Sequence, residues 1–145
     1  MSVHQEDLLG QLSKVARLVK RDIDVALAPF SLHTGQCALI KAVAILEPVS
    51  QVALAKYLVI EKPAVTKTVT RLETLGFISR TGSGRKRTVT LTRQAHDTYE
   101  AMDQAVQAAH QRFLETLSND EQQMMGSILT HLLSTHRPDE QEELH

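Results

Sequence analysis

The stretch KPAVTKTVTRLETLGFISRTGSGRKRTVTLT, residues 62–92, gathers threonine hydroxyls and cationic side chains around a glycine-hinged turn. Each hydroxyl can donate one hydrogen bond and accept others, and each lysine or arginine can be set against a phosphate or a carboxylate. The formal net charge of -1 conceals how unevenly the charge is spread. Residues 61–93 carry eight Lys/Arg against two Asp/Glu, residues 1–60 six against five, and residues 94–145 two against ten. A basic segment on a nearly neutral chain is the footprint of a polyanion-binding surface, because each cation set against a phosphate releases a condensed counterion. Charge alone also fits a merely solvated face, so residue types and the elements carrying them must decide.

Threonine is a mediocre helix former, so a helix with Thr66, Thr68, Thr70 and Thr74 gives up stability that alanine would supply. Small hydroxyl residues do allow close approach to DNA and reach both bases and phosphates. Thr66, Lys67 and Thr70 are therefore candidate base or phosphate contacts, with Ala64 and Thr68 beside them and solvated helix surface as the alternative. Arg71 and Arg80 are candidates for phosphate, against an internal salt bridge to Glu73 or Glu61. Ser50 and the amides from Gln51 onward could bind a phosphate at a helix N-terminus, or Ser50 could simply cap the helix. Arg85, Lys86 and Arg87 lie beside the hinge of Gly82 and Gly84.

Other chemistries find little footing. The single cysteine, Cys37, excludes a disulfide framework or a thiolate zinc cluster within one chain. Free cysteine is commonly a small buried apolar residue. The seven histidines include no His-x-x-x-His pair, so a zinc site would need Cys37, His33 and His110 to meet through folding. There is no phosphate-cradling glycine loop, since TGSGRK lacks the required spacing and its closing Lys-Ser/Thr, and no nucleophile elbow. The expectation is a non-enzyme without cofactor or metal. With 3% aromatic residues, stacking platforms for single strands are not expected. No apolar run approaches the roughly 20 residues that span a bilayer, and the start MSVHQEDLL lacks the features of a signal peptide, so the expected location is the cytoplasm, without membrane association.

The elements that must position these residues can be read along the chain. Leu8, Leu12, Val15, Val19, Ile23 and Ala26 recur at helical spacing over residues 5–28, with Ser2 and Gln5 as a capping box and Pro29 as the stop. A second helix follows Thr34 to about Leu46 and is closed by Pro48. Ser50 caps a short third helix, QVALAKYL, and Pro63 opens a fourth that Gly76 ends. In the fourth, Val65, Val69 and Leu72 form the buried face. From Phe77 the period shortens: FISR and RTVTLT read as strands around a glycine-containing turn. Helix resumes from Thr92 to about Leu117, and Ser118 with Glu121 caps a last helix ending near His136. Residues 137–145 read as a disordered acidic tail. The expected class is mainly α with a small β-hairpin wing, a winged helix-turn-helix in one domain over residues 1–136. Its helix-turn-helix covers about 51–75 and its wing about 77–92.

In this order and spacing the chain resembles the MarR family of regulators over nearly its whole length. LHTGQCALIKAV matches the family's second helix, SQVALAKYLVIEKPAVTKTVTRLETLGFISR its helix-turn-helix and entry to the wing, and TVTLT the strand before two long helices. The resemblance implies a homodimer joined through helices at about 5–28 and 93–136. It also implies a fourth helix in the major groove of a pseudo-palindromic operator and a wing at the adjacent minor groove. The implied function is that of a sequence-specific repressor released by small phenolic or amphipathic ligands; oxidant or zinc sensing in the same fold is an alternative. Carried onto this sequence, the DNA-binding set is Ser50, Gln51, Pro63, Ala64, Thr66, Lys67, Thr68, Thr70, Arg71, Arg80, Arg85, Lys86 and Arg87. The family's wing has an Asp-x-Arg pair; Arg85 matches its arginine, but Ser83 stands where the aspartate would be. A winged helix used for protein contact is the other alternative, and it would show an apolar or acidic fourth helix and wing rather than basic ones.

Overall fold

The computed structural model describes residues 5–137. Six α-helices and one two-stranded antiparallel sheet follow in the order α1 Gln5–Leu27, α2 Thr34–Leu46, α3 Gln51–Leu58, α4 Lys62–Thr74, β1 Ile78–Thr81, β2 Thr88–Leu91, α5 Arg93–Leu114 and α6 Asn119–His136. The Ser2 capping box and tail residues 138–145 lie outside the described residues.

Local chemistry sets most boundaries. Pro29 sits in a 3₁₀ turn, Ala28–Phe30, that ends α1. The Ser50 hydroxyl accepts the Ala53 amide at 3.1 Å to start α3, and Ser118 and Glu121 cap α6 reciprocally at 3.1 and 2.9 Å. Pro63 stands in the first turn of α4, where a missing N–H costs nothing. Gly76, at φ +88°, makes the left-handed exit, with Phe77 N–H bonded back to the Leu72 carbonyl at 2.9 Å. The hydroxyl of Thr92 caps α5 at the Ala95 amide, 3.2 Å away, and donates to the Gly76 carbonyl, tying the end of α4 to the start of α5.

Three expectations need correction. The cap of α2 is His33, whose N–H donates to Gln36 Oε1 at 3.0 Å; Thr34 is the first helical residue, and its amide and hydroxyl both bond Asp24. Helix α5 stops at Leu114, three residues before Leu117, because the chain must turn to present Ser118 as the next cap. Arg137 belongs to the ordered structure: its guanidinium donates to the Lys56 and Tyr57 carbonyls at 3.3 and 3.2 Å, joining the end of α6 to the end of α3.

The core lies where α2, α3, α4, α5, the C-terminal half of α1 and the strands converge. Leu27, Val43, Leu54, Val65, Val69 and Leu72 are completely covered there. Burying each aliphatic side chain of this kind contributes about 1.5–3 kcal/mol relative to leaving it exposed. The strands pair Ile78 with Leu91 and Thr81 with Thr88, so Ile78, Val89 and Leu91 face inward. Val49, ahead of α3, adds a bridge to Val89 through two backbone bonds of 3.2 and 2.8 Å, anchoring the hairpin to the body. Among the described residues no single helix is long and apolar enough to cross a membrane.

Candidate nucleic-acid interface

Helix α4 shows why its sequence mixes valines with threonines. Val65, Val69 and Leu72 are fully buried, while Pro63, Ala64, Thr66, Lys67, Thr70 and Arg71 are exposed and Thr68 is half-covered. The exposed side is polar and cationic, without the apolar patch that a protein-docking helix would need.

Two neighbours orient its hydroxyls. Thr66 donates to Gln51 Oε1 at 2.7 Å, which locks the first turn of α4 to the first turn of α3. Thr70 accepts from Arg80 Nη2 at 2.7 Å, and Arg80 Nη1 lies 3.6 Å from Glu73 Oε1. Arg80, expected among the phosphate contacts, therefore folds onto α4 in the ion pair weighed as its alternative, with its side chain only 13% exposed. Ser50, likewise, spends its hydroxyl as a cap.

Arg85, Lys86 and Arg87 are exposed at the tip of the hairpin, where Gly84–Lys86 makes a 3₁₀ turn. Gly82, at φ +81°, is required there: a Cβ would lie 2.6 Å from the Lys86 carbonyl oxygen. The structure thus pairs Gln51 with Thr66 and Arg80 with Thr70, and leaves Lys67 and the wing cations exposed. Sequence reading missed Val49 and Glu47, which hold the hairpin from behind. Glu47 Oε1 accepts the Leu91 amide at 3.3 Å and its other oxygen lies 3.9 Å from His96 Nε2. These contacts join residues forty or more positions apart, and no local pattern announces them.

Cys37 is buried, and burial pushes its thiol up to about 11, with Lys41 opposing and Asp103 assisting. A thiol protonated at neutral pH is a poor nucleophile. Lys41 Nζ sits 2.9 Å from Asp103 Oδ1 in a part-exposed ion pair that holds the Asp103 carboxyl below its ordinary value. Burial and Lys41 depress the pKa of the nearby His110, with Asp103 opposing. His33 is a helix cap apart from this group.

A helix-turn-helix whose second helix is flanked by an antiparallel hairpin, with a cationic tip, defines a winged-helix protein. The MarR family model matches residues 31–87. The HTH-type transcriptional regulator YwoH of Bacillus subtilis is 32% identical over 105 residues, covering 71% of this chain and 77% of that protein. The chain belongs to the MarR family of transcriptional regulators. Its fold is shared by a mutant MarR from E. coli complexed with operator DNA, at TM-score 0.80 and 24% identity over 91% of this chain and 99% of that one. CouR from Rhodococcus jostii RHA1, bound to p-coumaroyl-CoA, has the same fold at TM-score 0.80 and 22% identity, covering 95% and 97% of the two chains.

Proposed function

We propose that the protein is a cytoplasmic, dimeric, sequence-specific repressor, not an enzyme, that binds a pseudo-palindromic operator in double-stranded DNA. Helix α4 enters the major groove, with Thr66, Lys67 and Thr70 toward base edges and Ala64 and Thr68 close by. Arg71 and the amides opening α3 stand toward phosphate, and Arg85, Lys86 and Arg87 rest on the adjacent minor groove. The observation that carries the reading is the exposed hydroxyl and cationic side of α4, with Thr66 and Thr70 oriented by bonds from α3 and β1. The dimer rests on apolar faces of α1 and α6 that the described residues leave exposed. Half-sites about 10 base pairs apart would match a two-fold axis. A small amphipathic or phenolic effector would act by binding one spacing of the two α4 helices better than another.

Selection of bound fragments from the source genome at about 0.15 M salt tests this reading. Recovery of a two-fold-symmetric sequence is expected, and retention of no fragment would overturn the reading. On the recovered operator, Thr66→Ala or Lys67→Ala should cost about 1–3 kcal/mol, and much less on random DNA. Equal costs on both would mean that these residues only hold the backbone.

A further inference from the structure

We infer that Arg80 is a positioning residue for α4 rather than a phosphate ligand, and that its guanidinium presents Thr70 to DNA as a hydrogen-bond donor. The inference rests on the DNA-binding reading above and assigns one side chain's role within it. A guanidinium engages phosphate by turning its donor fork outward. Arg80 turns its fork inward: Nη2 donates to Thr70 Oγ1 at 2.7 Å and Nη1 approaches Glu73 Oε1 at 3.6 Å. Its Nε is buried and makes no hydrogen bond among the described residues, so the two terminal nitrogens carry the attachment. The cations at the hairpin tip are, by contrast, exposed.

The clamp has a chemical consequence. A hydroxyl has one proton and two lone pairs. With a lone pair of Thr70 committed to Arg80, the proton is left to point outward, toward an acceptor such as guanine O6 or N7, thymine O4 or adenine N7. Thr66 is set the opposite way, because its proton is held within the protein, by Gln51 Oε1 at 2.7 Å with the Lys62 carbonyl at 3.2 Å as a second acceptor, and its outward side can only accept or offer its methyl group. The two threonines, one turn apart on α4, would then read different base edges although they are chemically identical. Arg80 also ties β1 to the middle of α4, so it fixes the rotation of the helix relative to the hairpin.

The test is a set of binding titrations with the intact dimer on the genome-selected operator duplex and on a shuffled duplex of equal length, at several salt concentrations from about 0.05 to 0.2 M. Arg80→Gln should weaken operator binding roughly ten- to hundredfold, the span of a charge-assisted hydrogen bond. It should leave the shuffled duplex within about twofold and the salt slope unchanged. Thr70→Val should reproduce that weakening, and the double variant should be no worse than the stronger single one. Arg80→Lys should not rescue, since a point charge cannot hold two partners in a fork. Weakening on both duplexes, with the slope flattened by about 0.9 for each phosphate no longer neutralised, would show that Arg80 holds phosphate and overturn the proposal. Additive effects in the double variant would do the same. Should Arg80→Gln fail to fold, Thr70→Val alone decides: this residue is exposed, and unchanged operator affinity would overturn the assignment. A wild-type protein that binds both duplexes equally would overturn the DNA-reading function along with it.

Discussion

Two regions of this chain carry equally clear apolar helical patterns and treat them in opposite ways. In the head, from α2 through β2 with the C-terminal half of α1 and α5 packed against it, the apolar faces meet each other, and Leu54, Val65, Val69 and Leu72 have no exposed surface at all. In the arm, formed by the N-terminal half of α1 together with α6, Leu8 is 60% exposed, Met124 64% and Ile128 54%. No described residue of α6 is buried and none joins the core. The head is complete within one chain, whereas the arm is half of something. Obligate dimer interfaces resemble a domain core cut in two, and the arm has that composition, with Leu9, Leu12, Leu129 and Leu132 lining an open groove of about 460 Å³ between its helices.

The largest effect should come from making the arm polar. Placing charge at Leu12 and Leu132 together, as Leu12→Glu with Leu132→Glu, should give monomers in sedimentation at micromolar concentration. It should also reduce operator affinity by about 10²–10⁴-fold, because the two half-sites would no longer be engaged by linked heads. The head should remain folded by circular dichroism. A wild-type chain that sediments as a stable monomer would break the comparison at its root.

The next effect compares the same chemical change in each region. Leu72→Ala empties a fully buried position of the head and should cost about 2–5 kcal/mol at any protein concentration. Leu129→Ala, on the arm, should lower the melting temperature only to the extent that it weakens association, so its effect should grow on dilution. Identical concentration dependence for the two would mean that head and arm unfold as one unit.

How much could be read from sequence follows the same division. Positions whose information is local were legible: the caps at Ser50 and Ser118, Pro63 at the start of α4, and Gly76 at its end all act within a few residues. The stripe Leu8, Leu12, Val15 was legible as apolar, but periodicity reports that a face avoids water and not what covers it. The site divided likewise. The exposed side of α4 and the cationic tip followed from residue type and spacing. That Arg80 would fold onto Thr70, or that Val49 would bridge to Val89, depends on where the hairpin docks, and a four-residue strand carries no signal for that. Helix α2, expected to follow Thr34, includes it and is capped by His33, while Asp24, on another helix, accepts both the amide and the hydroxyl of Thr34.

A smaller effect separates the two DNA-facing parts of the head. The wing lacks the family's aspartate, with Ser83 exposed in its place, and its cations are exposed rather than folded in as Arg80 is. Neutralising Arg85, Lys86 and Arg87 together should therefore weaken operator and random DNA alike. The logarithmic salt slope should flatten by about 0.9 for each phosphate left without its cation, with as many as about six such phosphates along a dimer's site. Ser83→Asp, by pairing with Arg85, should raise the preference for narrow A·T-rich minor grooves. An unchanged slope after triple neutralisation would assign phosphate binding to α4 and α3 alone.

The smallest effect lies at the seam. Helix α1 belongs to the arm at its start and to the core at Ile23 and Leu27, and between those two residues Asp24 accepts the Thr34 amide at 2.7 Å and its hydroxyl at 2.6 Å, with Lys20 at 2.9 Å. Burial pushes this carboxyl up, but the Thr34 bonds and Lys20 outweigh it and hold the pKa at about 2, below the roughly 3.9 of an unfolded aspartate. A carboxyl more readily ionised in the folded chain adds stability that is complete above about pH 4 and is lost as the pH falls through about 2. The side chain remains 32% exposed, so solvent screening reduces the contribution to about 1 kcal/mol. Urea unfolding of wild type and Asp24→Asn should differ by about that amount at neutral pH, with the gap closing between about pH 4 and pH 2. Dimer affinity should not change, because the pin seats α1 in its own head and does not face the open groove. A gap that persists undiminished to pH 2 would mean that the Thr34 bonds stabilise the seam without the carboxylate's charge. A fall in dimer affinity would mean that the arm's geometry is set from the head, and that the two regions are less independent than their burial suggests.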